Sequence, residues 1–180
     1  MTADGSMANV ATTGHDQVFW LAAHGGAGVS TLMAATRLGS DQAWKLPSRP
    51  ATWPPLQVVV VARSHAHGIV QAQAIAAKAA VGEGLSLPEP YILAGLALVA
   101  DSPGKLPKPL AELRHLITGA FKKVWDVPWQ EGWRQGEVPS PANAPKQVNR
   151  LAKELSRLTA GEAVIALDEQ TWAASACSST

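Results

Sequence analysis

Four consecutive valines, Val58–Val61, constrain the fold more than any other feature of the chain. A strand with one wet face alternates apolar and polar residues, because successive side chains point to opposite sides. An unbroken β-branched run has no side to give to water. Gln57–Ala62 therefore reads as a strand covered on both faces, the situation of a parallel sheet sandwiched between helices.

The rest of the chain follows the same plan. Val18–Ala23 is a short apolar run that ends at glycines and reads as a strand, and Val29–Leu38 reads as a helix stopped by Gly39. Ser40–Leu56 is a long connection containing tryptophan and proline. Ser64 offers an N-cap for a helix over 65–80, whose Ile69, Ala72, Ala76 and Ala79 form one stripe. Tyr91–Ala100 reads as a strand interrupted by Gly95, and Asp101–Gly104 as a turn. Pro109 suits the first turn of a helix that Gly119 ends. Phe121–Val127 reads as a strand ended by Pro128. Asn143–Leu158 is amphipathic, with Val148, Leu151, Leu155 and Leu158 inward and Lys146, Arg150, Lys153 and Arg157 toward water. Ala163–Leu167 reads as a short edge strand. Alternating strands and helices predict a single α/β domain with a mainly parallel sheet of about four to five strands and right-handed crossovers. The expected organisation is a flexible N-terminus over 1–15, the domain over 16–168 and a flexible tail over 169–180.

Composition sets outer limits. Hydrophobic residues make up 47% of the 180 and charged residues 16%, which suits one globular core. The formal net charge is +1 with no polybasic run, so strong direct nucleic-acid binding is not expected. No apolar stretch approaches a membrane span, and the first residues lack the basic start and apolar segment of a signal peptide. The single cysteine, Cys177, forms no intramolecular disulfide. A cytoplasmic, non-membrane protein is the expectation.

Between the first strand and first helix lies His24-Gly-Gly-Ala-Gly-Val-Ser-Thr31. Glycines permit positive φ and let backbone N–H groups face an anion, and a helix N-terminus adds its dipole. The segment resembles the deviant phosphate loop of the ParA/MinD ATPases, Lys-Gly-Gly-x-Gly-Lys-[Ser/Thr]-Thr. Gly25, Gly26, Gly28, Ser30 and Thr31 match; His24 and Val29 stand where that family has lysines. Val58–Arg63, Gly95–Val99 and Val124–Pro128 resemble later strands of the same family, while its Asp-bearing strands are missing. Leu98–Pro107 and Val127–Arg134 also look like a family of high-GC Gram-positive bacteria without established activity, often associated with mobile elements; that likeness covers about residues 16 to 140.

The resemblance implies a reduced phosphate-loop NTPase fold. Gly25, Gly26, Ala27, Gly28, Val29, Ser30 and Thr31 would then bind phosphate, with His24 and Arg63 beside them and Ser30 holding Mg²⁺ if ATP or ADP binds with the metal. A lysine on the phosphates contributes roughly 1.5–3 kcal/mol, so its loss weakens binding about ten- to a hundredfold. Phosphoryl transfer depends on charge stabilisation, which Val29 cannot supply, so efficient hydrolysis is not expected. The alternative reading of these glycines is tight strand–helix packing alone.

Other candidate residues have plainer readings. A lipase-type oxyanion loop would need Gly-x-Ser-x-Gly, which does not occur. His65 and His67 read as polar residues at a helix start, lacking a third metal ligand at diagnostic spacing. Asp101 is a candidate polar contact with turn capping as the plainer role, and Trp129 a candidate stacking contact with core packing as its alternative. The functional expectation is weak nucleotide or phosphate binding without efficient hydrolysis, acting through a protein partner or homo-oligomer, with plasmid or mobile-element maintenance as the context the resemblance implies. The alternatives are a scaffold protein with no small ligand, and an ATPase completed by a cation from a partner.

Overall fold

The computed structural model describes residues 18–41, 55–82, 85, 87 and 89–160. It places the valine run inside a four-stranded, fully parallel sheet. The strands are β1 (Val18–Ala22), β2 (Leu56–Arg63), β3 (Tyr91–Val99) and β4 (Val124–Val127), in that order across the sheet. The helices are α1 (Val29–Thr36), α2 (Ala66–Ala80), α3 (Lys108–Thr118), the single turn α4 (Glu131–Arg134) and α5 (146–160).

Both faces of the sheet are covered. On the first face, Trp20, Val59, Val61, Ala97 and Trp125 pack against Leu32 and Ala35 of α1 and against Val148, Leu151 and Leu155 of α5. On the second face, Val60, Ala62, Leu96 and Leu98 pack against Ile69, Ala72 and Ala76 of α2 and Ile117 of α3. The alternation along β3 changes step at a bulge. Val58 pairs with Leu93, whereas Val59 pairs with Gly95. Gly95 thus marks a bulge within a continuous strand. A side chain there would lie 2.7 Å from the Trp125 ring and against the Lys123 carbonyl, so glycine makes room for the indole.

The route of the chain creates a switch. The connections from β2 to β3 and from β3 to β4 run the same way across the sheet, with α2 and α3 on the second face. After α1, on the first face, the chain returns to the outer edge of β1, where Ser40 bridges Phe19. The Trp20 N–H donates to the Ser40 carbonyl at 2.9 Å, and the Ser40 N–H to the Val18 carbonyl at 3.1 Å. Right-handed connections running in opposite directions put their helices on opposite faces. The loops leaving β1 and β2 therefore diverge, one toward each face.

Several element ends differ from the sequence expectation. The helix α1 stops two residues earlier, at Thr36, with Arg37 in the left-handed region at φ 54°. Gly39 (φ 76°) instead lets the chain pass β1, since a Cβ there would come within 2.7 Å of Trp20 Nε1. The N-cap of α2 is His65, not Ser64; its ring accepts from the Gly68 N–H at 2.9 Å. The strand β4 begins at Val124, three residues late, and Phe121 packs into the second face. The last helix begins at 146, after Pro145, and runs to 160. The turn α4 was not anticipated. The expected strand Ala163–Leu167, both termini and most of the long connection lie outside the described residues. Among the described residues, no helix is long and apolar enough to cross a membrane.

One carboxylate fastens α5 to the sheet. Glu154 accepts from Trp125 Nε1 at 2.8 Å and from Arg150 at 2.9 Å, and pairs with Lys123 at 3.1 Å. The Trp125 hydrogen bond, helped by the two cations and opposed by partial burial, lowers its pKa from 4.5 to about 2. A depressed pKa gives stability that is complete above pH 4.5 and lost as pH falls toward 2. Glu154→Gln should therefore cost about 1–2 kcal/mol at pH 7, and the gap should narrow below pH 4. Urea unfolding at both pH values checks this; a gap independent of pH would remove the charge from the account.

Candidate functional site

The divergence of the β1 and β2 loops opens a crevice at the carboxyl ends of the strands, where ligands bind in sheets of this kind. The glycine loop lies there. Gly26 (φ 76°) and Gly28 (φ 106°) take left-handed conformations that turn the chain from β1 into α1. Ala27 and Val29 are buried and pin the loop to the first-face core. Val29 is thus an apolar core contact.

The backbone donors of this loop lack partners. The Ala27 N–H donates to the His24 carbonyl at 3.3 Å, and the first helical bond runs from the Leu32 N–H to the Gly28 carbonyl at 3.0 Å. The N–H groups of Gly25, Gly26, Gly28, Val29, Ser30 and Thr31 have no acceptor among the described residues. Gly28 caps α1 without a side-chain hydrogen bond. Orphan donors at a helix start are a ready seat for an anion.

His24 serves a different purpose from a phosphate-binding lysine. Its Nε2 accepts from the Arg63 N–H at 3.1 Å, which places its proton on Nδ1, 2.9 Å from the Gly25 carbonyl. One imidazole therefore joins the end of β2 to the loop across 39 residues of sequence. Its ring lies 5.0 Å from that of His65 and 5.9 Å from that of His67. Among the described residues no group of three or more histidines, cysteines or carboxylates is arranged to hold a metal ion. Gly68 lets α2 close against this corner: a Cβ there would sit 2.9 Å from His24 Nε2 and against the Arg63 carbonyl oxygen.

Arg63 is the cation of the site. Its Nε donates to the Gly26 carbonyl at 3.3 Å, and one terminal nitrogen to the Ala100 carbonyl at 3.1 Å. The other terminal nitrogen has no partner among the described residues. Arg63 is the one cation that lines both hollows beside the loop. The first is a cavity of about 160 Å³ that brings Gly28, Thr31 and Arg63 together with Trp129, Trp133 and Arg134. The second is a broader depression over Gly25–Thr31. Trp129 is thus beside the loop. Its indole N–H donates to Glu131 at 2.8 Å and, with the Gln135 amide, holds that carboxylate below its ordinary range.

Asp101 is not part of this arrangement. It is exposed at the end of β3, lines neither hollow, and its backbone N–H donates to Ser64 Oγ at 3.0 Å. A carboxylate the sequence reading passed over, Asp41, does line the loop depression with Ser30 and Thr31. It lay hidden in the long connection; only the bridge of Ser40 to β1 brings it there. The available groups are therefore free N–H donors, the guanidiniums of Arg63 and Arg134, two hydroxyls, the Asp41 carboxylate and flanking indoles. A volume near 160 Å³ falls short of the roughly 300–1,000 Å³ of sites that enclose a drug-sized ligand. The depression that the loop N–H donors line is larger, about 400 Å³.

Together these features define a parallel α/β domain with a glycine loop at a topological switch point. The chain belongs to a family of unknown function, DUF6668, which matches residues 16–152 and so includes every strand and the loop. No curated protein and no solved structure matches it.

The corner between His24, Arg63 and Gly68 makes a specific demand. Gly68→Ala places a methyl group against backbone, where nothing can yield cheaply, and should destabilise by about 2–3 kcal/mol. Ala66→Ser, at an exposed position two residues away, should change stability by less than about 0.5 kcal/mol. Chemical denaturation of the two variants tests this; equal midpoints would show that the close approach is not limiting.

Proposed function

We propose that this protein binds a phosphate-bearing ligand, ATP or ADP among the candidates, at Gly25–Thr31 without hydrolysing it efficiently, and acts through a protein partner. The carrying observation is the row of six loop N–H groups without acceptors beside Arg63. Backbone donors and a helix dipole suffice for modest anion affinity. Arg63 would add its free nitrogen, and Trp129 could face a base. Ser30 with Asp41 is the pair that would hold Mg²⁺ carried in with a nucleotide. The metal would supply charge neutralisation of the phosphates. The absence of lysine at 24 and 29 removes the charge that phosphoryl transfer most needs.

Calorimetric titration with ATP, ADP and inorganic phosphate, with and without Mg²⁺, tests the binding. Dissociation constants in the range of tens of micromolar to millimolar are expected. Gly28→Val should abolish binding and cost about 1–3 kcal/mol of stability, because a β-branched residue is strained at φ 106°, although its Cβ meets Val99 only at 3.7 Å. No heat at millimolar nucleotide or phosphate would overturn the proposal. Steady phosphate release that Gly28→Val removes would replace it with an ATPase.

A further inference from the structure

The sequence has no basic run, yet the fold assembles one. Lys146, Arg150, Lys153 and Arg157 are all exposed and fall within a sector of about 60° on α5, since each residue turns the helix by about 100°. The row is about 16 Å long at 1.5 Å per residue. Lys122 and Lys123, just before β4, flank it around a groove shared with Glu154 and Arg157. Glu154 is the one carboxylate lining these two grooves, and it is occupied by Arg150, Lys123 and Trp125. Six cations and one carboxylate give this face +5. The remainder of a chain whose formal net charge is +1 therefore carries −4. Lys122, Lys146, Lys153 and Arg157 have no ion-pair partner among the described residues.

We infer that this face docks the phosphate backbone of duplex nucleic acid, independently of base sequence and of the glycine loop. The partner follows from what the face has and lacks. A row of about 16 Å matches the axial length of about five base pairs at 3.4 Å each. The α5 groove is lined by no aromatic side chain, and Trp125 is buried with its N–H committed to Glu154, so single-stranded bases have no platform to stack on. A membrane surface is disfavoured because Val148, Leu151 and Leu155 are fully buried in the core; Leu158, expected to face inward, is 43% exposed and is the one large apolar residue α5 could insert, too little to anchor a helix. The contact is electrostatic and correspondingly weak at physiological salt.

Fluorescence anisotropy of the full chain with a mixed-sequence DNA duplex of about 20 base pairs, across salt concentrations from about 20 to 200 mM, tests this. Four unpaired cations predict that log K falls against log salt with a slope of about −3.6. The exposed triple variant Lys146→Gln/Lys153→Gln/Arg157→Gln should reduce the slope to about −0.9 and leave the thermal melt unchanged. Lys78→Gln, on α2 at the opposite face, should leave the slope as it is. Absence of binding at about 20 mM salt would overturn the proposal, as would a slope that the triple variant does not change. Tighter binding to vesicles of anionic phospholipid than to duplex at equal salt would overturn it in favour of a membrane.

Discussion

Burial of β2 is the constraint on which the rest of the molecule depends. Every residue from Leu56 to Ala62 is at most 2% exposed. Each N–H and C=O of such a strand must find a partner inside the protein, because an unpaired buried backbone group costs about as much as a lost hydrogen bond. Parallel pairing with β1 on one edge and β3 on the other meets that demand. Its side chains require cover on both faces, which α1 and α5 provide on one side and α2 and α3 on the other. A strand of valines thus dictates a three-layer domain.

The same constraint locates the crevice. Because helices must cover both faces, consecutive connections cannot all leave the sheet on one side, and the change of side occurs between β1 and β2. The two departing loops would separate freely if nothing held them. His24 ties the end of β2 to the loop, and Arg63 ties the loop to the end of β3. Both side chains hold backbone. The site keeps its N–H donors but spends its side chains on rigidity.

The sheet, its parallel sense and the order of strands and helices were legible because burial on two faces and 3.6-residue periodicity are local signals. The loop was legible for a similar reason: its glycines answer to a local demand for positive φ. What escaped was set by tertiary contact. The step in β3 at Gly95 depends on the Trp125 ring in the next strand. The cap of α2 moved from Ser64 to His65 because Ser64 Oγ accepts from the Asp101 N–H, 37 residues away. Asp41 gained its place from a single bridge to β1. Four cations of the basic face were legible at helical spacing, whereas Lys122 and Lys123 join them only through the contact of Lys123 with Glu154.

The all-parallel sheet also bears on how the chain finds this arrangement. Register separations are 39 residues between Val18 and Gln57, 35 between Leu56 and Tyr91, and 28 between Leu96 and Val124. No pair of strands can form as a hairpin, so each pairing first closes a long loop and loses its entropy. Those closures differ by only a few tenths of a kcal/mol, since the cost grows as the logarithm of length. Search order is then set by what each closure buries. The strand β2 shares in two of the three pairings and is apolar on both sides, so the valine run is where ordering brings the greatest return. The element that shapes the finished domain is thus also the one whose pairing buries most for the loops it closes.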